Sequence, residues 1–204
     1  MDKSKRVYLE NLGSVSISEL SGRELKPSSK PHRVIFCDID GVLNSYFGVS
    51  CDEENRIGEF SENNLLALKY LLKETGAELV LCSSWVDNAE IFERIREEFW
   101  EIDEICVSDF CKKPDLRKDE SIYEWCKTHK ITNIEEFVVL DDEPIDLYYD
   151  SNLKRIIKAR KYQWADTRSV RVSSMDGLNF QVCKLVFELF NIPNYSIPVD
   201  TENK

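Results

Sequence analysis

The sequence predicts an α/β fold: a doubly wound, Rossmann-like parallel sheet of five strands with helices on both faces. Three observations carry that prediction. From Val34 onward, short apolar runs alternate with helical patterns. The runs are unbroken apolar quartets, which suits strands covered on both faces. Three of them also end alike, VIFC in Asp38-Ile39-Asp40-Gly41, LVLC in Ser83-Ser84 and FVVL in Asp141-Asp142.

Strands are expected at 34–37, 79–82, 105–107, 137–140 and 156–159. Between them, Ser61 is placed to cap a helix carrying Leu65, Leu68 and Leu72, and Thr75-Gly76 ends it. Ile91, Ile95 and Phe99 sit four apart with Phe92 beside them, an amphipathic pattern whose other side holds Glu93, Arg96 and Glu97. Ile122, Trp125 and Cys126 mark a third apolar stripe, and Leu185, Val186 and Leu189 a fourth. Alternation of this kind defines the α/β class. Residues 1–31 lack periodicity and end in KPSSKPHR, so they read as an extension. The folded domain is expected at 32–193, followed by a tail at 194–204.

A chain of 204 residues, 42% hydrophobic, can bury one full core without metal or disulfide staples. Its formal charge of −11 excludes indiscriminate binding to polyanions. The seven cysteines form no CxxC pair, and two histidines supply a tetrahedral zinc site poorly. Cys37 and Cys82 lie inside apolar runs and read as small buried hydrophobes, which fits a reducing compartment. With no apolar N-terminal stretch and no membrane-length run, the protein is expected to be soluble and cytoplasmic.

Ligands bind beyond the carboxyl ends of the strands in open parallel sheets, so the three polar strand ends converge on one crevice. Asp38, Asp40, Asp141 and Asp142 bring up to four carboxylates together there. Such a cluster would repel itself without a cation. Oxygen-only ligands favour a hard ion, and Mg²⁺ is the usual choice beside a phosphate.

The order DIDGVLN, a strand ending in SSW, a charged RKDESI helix start, VVLDD and a late Gly177-Leu178 resembles the haloacid dehalogenase (HAD) superfamily of phosphohydrolases. The resemblance covers residues 34–189. It is especially to the small uncapped HAD domains of RNA-repair proteins and to the phosphatase half of polynucleotide kinase-phosphatases. It implies that Asp38 is a nucleophile forming an aspartyl-phosphate. It implies that Asp40 is the acid–base partner, with its carbonyl toward the metal. Ser83 would bond a phosphoryl oxygen, with Ser84 as the fallback. Asp141 and Asp142 would anchor Mg²⁺ with Asp38 and Asp40, and Asp146 would stand behind them. The phosphate-stabilising cation lies among Lys112, Lys113, Arg117 and Lys118. Lys118 fits best, four residues before the first buried helix position, and Lys113 and Arg117 remain as substrate contacts. In place of the Arg that follows SSW in many relatives, this chain has Val86.

Neither interval between the motifs has room for a folded cap. An open site suits a phosphate projecting from a macromolecule. Residues 154–171 hold Lys154, Arg155, Lys158, Arg160, Lys161, Arg168 and Arg171 against the single acid Asp166, with Tyr162 and Trp164 among them. Such a stretch can track a nucleic-acid backbone and stack bases, or it can protect an edge strand by charge. Tyr46, Phe47 and Trp85 are similarly placed either to stack on a base or to pack locally. The expected activity is therefore Mg²⁺-dependent phosphomonoester hydrolysis, with a nucleic-acid end or nucleotide phosphate as substrate. A phosphoprotein phosphatase and a non-catalytic HAD-fold binding module are the alternatives.

Overall fold

The computed structural model describes residues 32–44, 60–87, 89–111, 117–143, 147–150, 155–158 and 164–193. All elements below fall in the compact unit formed by residues 33–204. They are β1 (Val34–Cys37), α1 (Glu62–Thr75), β2 (Glu78–Leu81), a 3₁₀ turn (Ser84–Asp87), α2 (Ala89–Asp103), β3 (Val107–Phe110) and α3 (Lys118–Thr128). A second 3₁₀ turn (Ile134–Glu136) leads to β4 (Phe137–Asp141), β5 (Leu147–Asp150), β6 (Arg155–Lys158), α4 (Trp164–Thr167), β7 (Ser169–Arg171) and α5 (Phe180–Leu189).

Five strands form one sheet in the order β3-β2-β1-β4-β7, and every pairing is parallel. The central strand VIFC is wholly buried, as an unbroken apolar run requires. One face packs Ile35, Leu79, Leu81, Val138 and Leu140 against Leu65, Leu68, Ile95, Phe99, Val186 and Phe187 of α1, α2 and α5. The other packs Val34, Phe36, Val80 and Val139 against Ile122, Trp125 and Cys126 of α3 and Trp164 of α4. Phe36 meets Trp125 edge-on at 5.2 Å between centroids, a favoured aromatic geometry. Cys37 and Cys82 are buried, as read from the sequence. Among the described residues, no helix is long and apolar enough to cross a membrane.

Several elements differ from the sequence reading. The expected fifth strand at 156–159 is instead β6, which pairs antiparallel with β5 in a separate two-stranded ribbon. The fifth parallel strand is β7, and its three residues Ser-Val-Arg are too few and too polar to show as an apolar run. The third strand starts at Val107 and runs to Phe110. It lies at the edge of the sheet, where a strand can carry polar residues such as Ser108 and Asp109. Leu185 is exposed, because the buried stripe of α5 is Val182, Cys183, Val186 and Phe187. On α1 the buried position is Leu71 rather than Leu72, and Ser61 makes no side-chain cap bond.

Two members of the basic stretch, Arg168 and Trp164, are packed into the fold. Arg168 is buried, and it donates from Nε to Phe137 O at 2.9 Å, from Nη1 to Leu189 O at 3.1 Å and from Nη2 to Glu135 O at 3.1 Å. Trp164 packs edge-on against Phe137 at 5.3 Å and is buried, so it offers no face to a base. Both residues are structural. Lys154, Arg160, Lys161 and Tyr162 lie outside the described residues. Arg168→Met should therefore cost about 3–5 kcal/mol, since it orphans three carbonyls at once. Urea denaturation measures this, and Arg171→Gln, on the exposed strand end, should stay within about 0.5 kcal/mol of wild type.

Candidate active site

The strand order reverses at β1. The chain adds β2 and β3 on one side of it, then crosses to add β4 and β7 on the other. A reversal of this kind opens a crevice beyond the carboxyl ends of β1 and β4. Asp38 follows β1 directly, and its N–H continues the ladder to Leu140 O at 2.9 Å. Asp141 ends β4. The two acids are therefore neighbours across one strand spacing.

Their carboxylates are held from several directions. Asp38 Oδ1 accepts the Ile39 N–H at 2.8 Å, and Oδ2 accepts from Lys118 Nζ at 2.6 Å. Lys118 also donates to Asp141 Oδ2, while Asp141 Oδ1 accepts the Glu143 N–H at 2.9 Å. Burial opposes the charge on Lys118, but Cys82, Asp38 and Asp141 hold its pKa above the ordinary lysine value. Burial also pushes the Asp141 carboxyl up to about 6, against the pull of Lys118 and with Asp38 adding repulsion. Asp142 is raised for the same first reason, with Asp38 and Glu143 adding to it.

Local sequence explains how Lys118 reaches both acids. It is the first residue of α3, between Arg117 at the N-cap position and the fully buried Asp119. Arg117 binds Asp119 through two parallel bonds of 3.0 and 2.9 Å and lies 3.6 Å from Glu120. That fork pins the start of α3, and it commits the Arg117 guanidinium to carboxylates of its own helix. Lys113, with Lys112 and Asp146, lies outside the described residues, as do Tyr46 and Phe47.

Asp38, Asp141 and Asp142 offer oxygens within 4.8 Å of one another. A set of three carboxylates fits a hard divalent cation. The Asp40 side chain is not in that set. It is exposed, with Oδ1 accepting from Asn44 Nδ2 at 2.9 Å and Oδ2 from Trp85 Nε1 at 2.7 Å. Ser83 is buried at the end of β2 and Ser84 is exposed. Val86, which follows SSW, is buried in the core.

Three contacts outside the sequence reading complete the arrangement. Trp85, considered there for stacking or packing, also grips Asp40 through its indole edge, while its ring tilts against Phe60 at 6.4 Å. Asn44 closes a small turn, accepting from the Gly41 N–H at 3.0 Å while donating to Asp40. Asn64 of α1 donates to Asp176 O and Leu178 O, and the Leu178 N–H donates to Val42 O at 2.7 Å. The late Gly177-Leu178 turn is thereby tied to the first motif. DIDG…N and SSW contained the first two partners, but no spacing rule shows which atoms meet.

Fold and carboxylate set together define a phosphohydrolase of the HAD class. The chain belongs to the family of HAD domains in Swiss Army Knife RNA repair proteins, whose profile matches residues 34–181. No curated protein matches the sequence. Similar solved structures include the 3-deoxy-D-manno-octulosonate 8-phosphate phosphatase from Moraxella catarrhalis, in complex with magnesium ion, phosphate ion and KDO. It is 18% identical, with 79% of this chain and 89% of that chain covered and a TM-score of 0.48. The cobalt-bound deoxy-D-mannose-octulosonate 8-phosphate phosphatase from Haemophilus influenzae is 14% identical, covering 79% and 90%, with a TM-score of 0.46. The 3-deoxy-D-manno-octulosonate 8-phosphate phosphatase from Yersinia pestis is 15% identical, covering 79% and 83%, with a TM-score of 0.45.

Gly41 shows how tightly the cluster is built. Its φ is +68°, and a Cβ there would stand 2.4 Å from Asp142 Oδ2. Gly76, at φ +62°, has open space around the same atom. Gly76→Ala should cost about 1–2 kcal/mol of stability, and Gly41→Ala more, because Asp142 must also shift. Only Gly41→Ala should also weaken divalent-cation binding, measured by calorimetric titration. Equal cation affinity in the two variants would refute the role given to the close approach.

The shift of Asp141 also has a sign that can be tested. Its folded value of about 6 lies above an unfolded value of about 3.9. Its stabilising contribution is then complete below about pH 4 and lost as pH rises through about 6. Metal-free protein should therefore show less of this contribution at pH 7.5 than at pH 5. Added Mg²⁺ should raise Tm more at pH 7.5, because its ligands bind deprotonated. Asp141→Asn should lose most of that gain, and a gain equal at both pH values would count against the cluster as the cation site.

Proposed function

We propose that this protein hydrolyses phosphomonoesters with Mg²⁺ through an aspartyl-phosphate on Asp38, and that its substrate is a phosphorylated nucleic-acid end or nucleotide. The observation that carries the reading is the pairing of a strand-end aspartate with a half-buried lysine beside two further carboxylates. Asp38, Asp141 and Asp142 would hold the Mg²⁺ through their side chains, with the carbonyl of Asp40. Bound there, the ion would neutralise charge on the phosphoryl oxygens.

The chain's own residues do the rest. An Asp38 carboxylate oxygen forms a bond to phosphorus as the bond to the leaving oxygen breaks. The leaving oxygen keeps that electron pair and takes a proton from the Asp40 carboxyl. Lys118 balances charge on the attacking carboxylate and on the phosphoryl group. Ser83 donates to a phosphoryl oxygen, with Ser84 next to it in sequence. In the second half, Asp40 takes a proton from water, water oxygen bonds to phosphorus, and Asp38 departs as carboxylate. Asn44 and Trp85 fix the Asp40 carboxyl from both sides, so its proton is delivered along one direction.

Two features support the substrate class. The family is that of HAD domains in RNA repair proteins. The intervals between the motifs, residues 44–79 and 85–118, are largely taken up by α1, α2 and β3, which leaves too little chain for a folded cap. The test is a Mg²⁺-dependent screen across oligonucleotide 3′- and 5′-phosphates, phosphopeptides and small phosphate esters. Oligonucleotide or nucleotide phosphates should give the highest kcat/KM, and Asp38→Asn should abolish turnover of all. A phosphopeptide preference would shift the reading to a protein phosphatase. No turnover on any substrate would leave a binding module.

Trp85→Phe keeps the ring but removes the N–H donor to Asp40. A misaligned acid matters most when the leaving oxygen is a poor one. The variant should therefore lose about 10–100-fold more kcat/KM on an alkyl phosphate than on p-nitrophenyl phosphate. An equal loss on both esters would reduce Trp85 to packing.

A further inference from the structure

The side chains of Asp38, Asp141 and Arg171 lie in one row across three adjacent strands. In the β1–β4 register, Cys37 pairs with Leu140, so Asp38 and Asp141 stand next in line. Asp141 in turn pairs with Arg171 of β7. Side chains alternate along each strand, and Leu140 and Val170 belong to the core on the α1, α2 and α5 side. Asp141 and Arg171, one residue on, point to the opposite side, toward the start of α3 where Lys118 sits. Two strand spacings separate Arg171 from Asp38 at the backbone, about 10 Å.

The contacts of Arg171 set it apart from the other cations near the site. Lys118 is shared between Asp38 and Asp141, Arg117 is forked onto Asp119, and Arg168 is spent on three carbonyls. Arg171 is exposed and donates Nε to Asp142 O at 3.2 Å. Among the described residues its terminal amino groups have no partner. One bond to the carbonyl of Asp142 fixes the guanidinium at the rim, and among the described residues its fork stays available. A planar fork of this kind recognises phosphate through two parallel bonds.

We propose that Arg171 binds a second, non-scissile phosphate of the substrate, one backbone unit from the phosphomonoester, and so selects nucleic-acid ends over esters bearing a single phosphate. The assignment rests on the phosphohydrolase reading above and adds to it a residue that sets specificity. In binding, the second phosphate would release counterions, which makes recognition salt-dependent.

The experiment compares wild type, Arg171→Gln and Arg171→Lys on three substrates in Mg²⁺: a nucleoside monophosphate, a nucleoside 3′,5′-bisphosphate and a terminally phosphorylated dinucleotide. Wild type should prefer the substrates with a second phosphate. Arg171→Gln should reduce that preference ratio about 10-fold or more, mainly through KM, and flatten the dependence of KM on salt. Arg171→Lys should keep part of it. A loss confined to the dinucleotide assigns the second phosphate to a nucleic-acid backbone. A loss on the bisphosphate as well assigns it to any substrate with a neighbouring phosphate. If Arg171→Gln lowers kcat/KM by the same factor on all three, Arg171 merely supports Asp142 and the proposal is overturned. No change in the ratio overturns it equally. Both of those outcomes leave the phosphohydrolase reading standing, whereas absence of wild-type turnover on every ester removes that reading and this assignment together.

Discussion

Two buried carboxylates, Asp38 and Asp141, share one ammonium group. That interaction is the constraint on which the site depends. The parallel ladder between β1 and β4 forces the two acids side by side, with the Asp38 N–H on Leu140 O at 2.9 Å. Neither acid could stay ionised there unaided, because burial penalises charge and each repels the other. Lys118 reaches both from the first turn of α3, a position where the helix dipole disfavours a cation. The carboxylates outweigh that cost. Removing the lysine would leave two uncompensated charges, which is more costly than never having buried them.

The surrounding contacts can be read as supports for this pair. The Arg117–Asp119 fork anchors the start of α3, so the lysine between them has a fixed origin. The absence of a side chain at Gly41 lets the first loop pass close to Asp142. Asn64 and Leu178 hold that loop from below, through Val42 O. Asn44 and Trp85 then fix the last acid, Asp40, outside the cluster. Four carboxyl groups thus divide into three that face one another and one that stands apart. That division suits a cation site beside an acid that must gain and lose a proton.

The sequence made the fold class, the central strands and the carboxylate ends legible, because apolar quartets followed by acids have few other structural readings. Lys118 was legible for a related reason, being four residues from Ile122 and hence placed at the start of the helix. Other features were not. β7 is three residues long, and its assignment depends on pairing with β4 rather than on its own pattern. The apolar pair Ile156-Ile157 looked like a buried strand but belongs to an antiparallel ribbon. Leu185 and Leu72 show that a helix stripe read from three positions can be rotated by one residue. The Trp85–Asp40 bond spans 45 residues of chain, and only folding specifies it.

Charge follows the same logic as the packing. A net −11 describes the whole chain, but the site is governed by where each cation is spent. Arg168 was counted with a basic stretch, yet its three carbonyl bonds make it part of the core. Arg171, three residues later, has one bond among the described residues and an exposed side chain. The alternation of a strand explains the difference in role. Val170 between them fills the core, while Arg171 is carried into the row that begins at Asp38. A linear count of basic residues therefore overstates the cationic surface and misses its position. The relevant quantity is the number of guanidinium donors left unused within reach of the carboxylate cluster, and the pairing of β4 with β7 determines it.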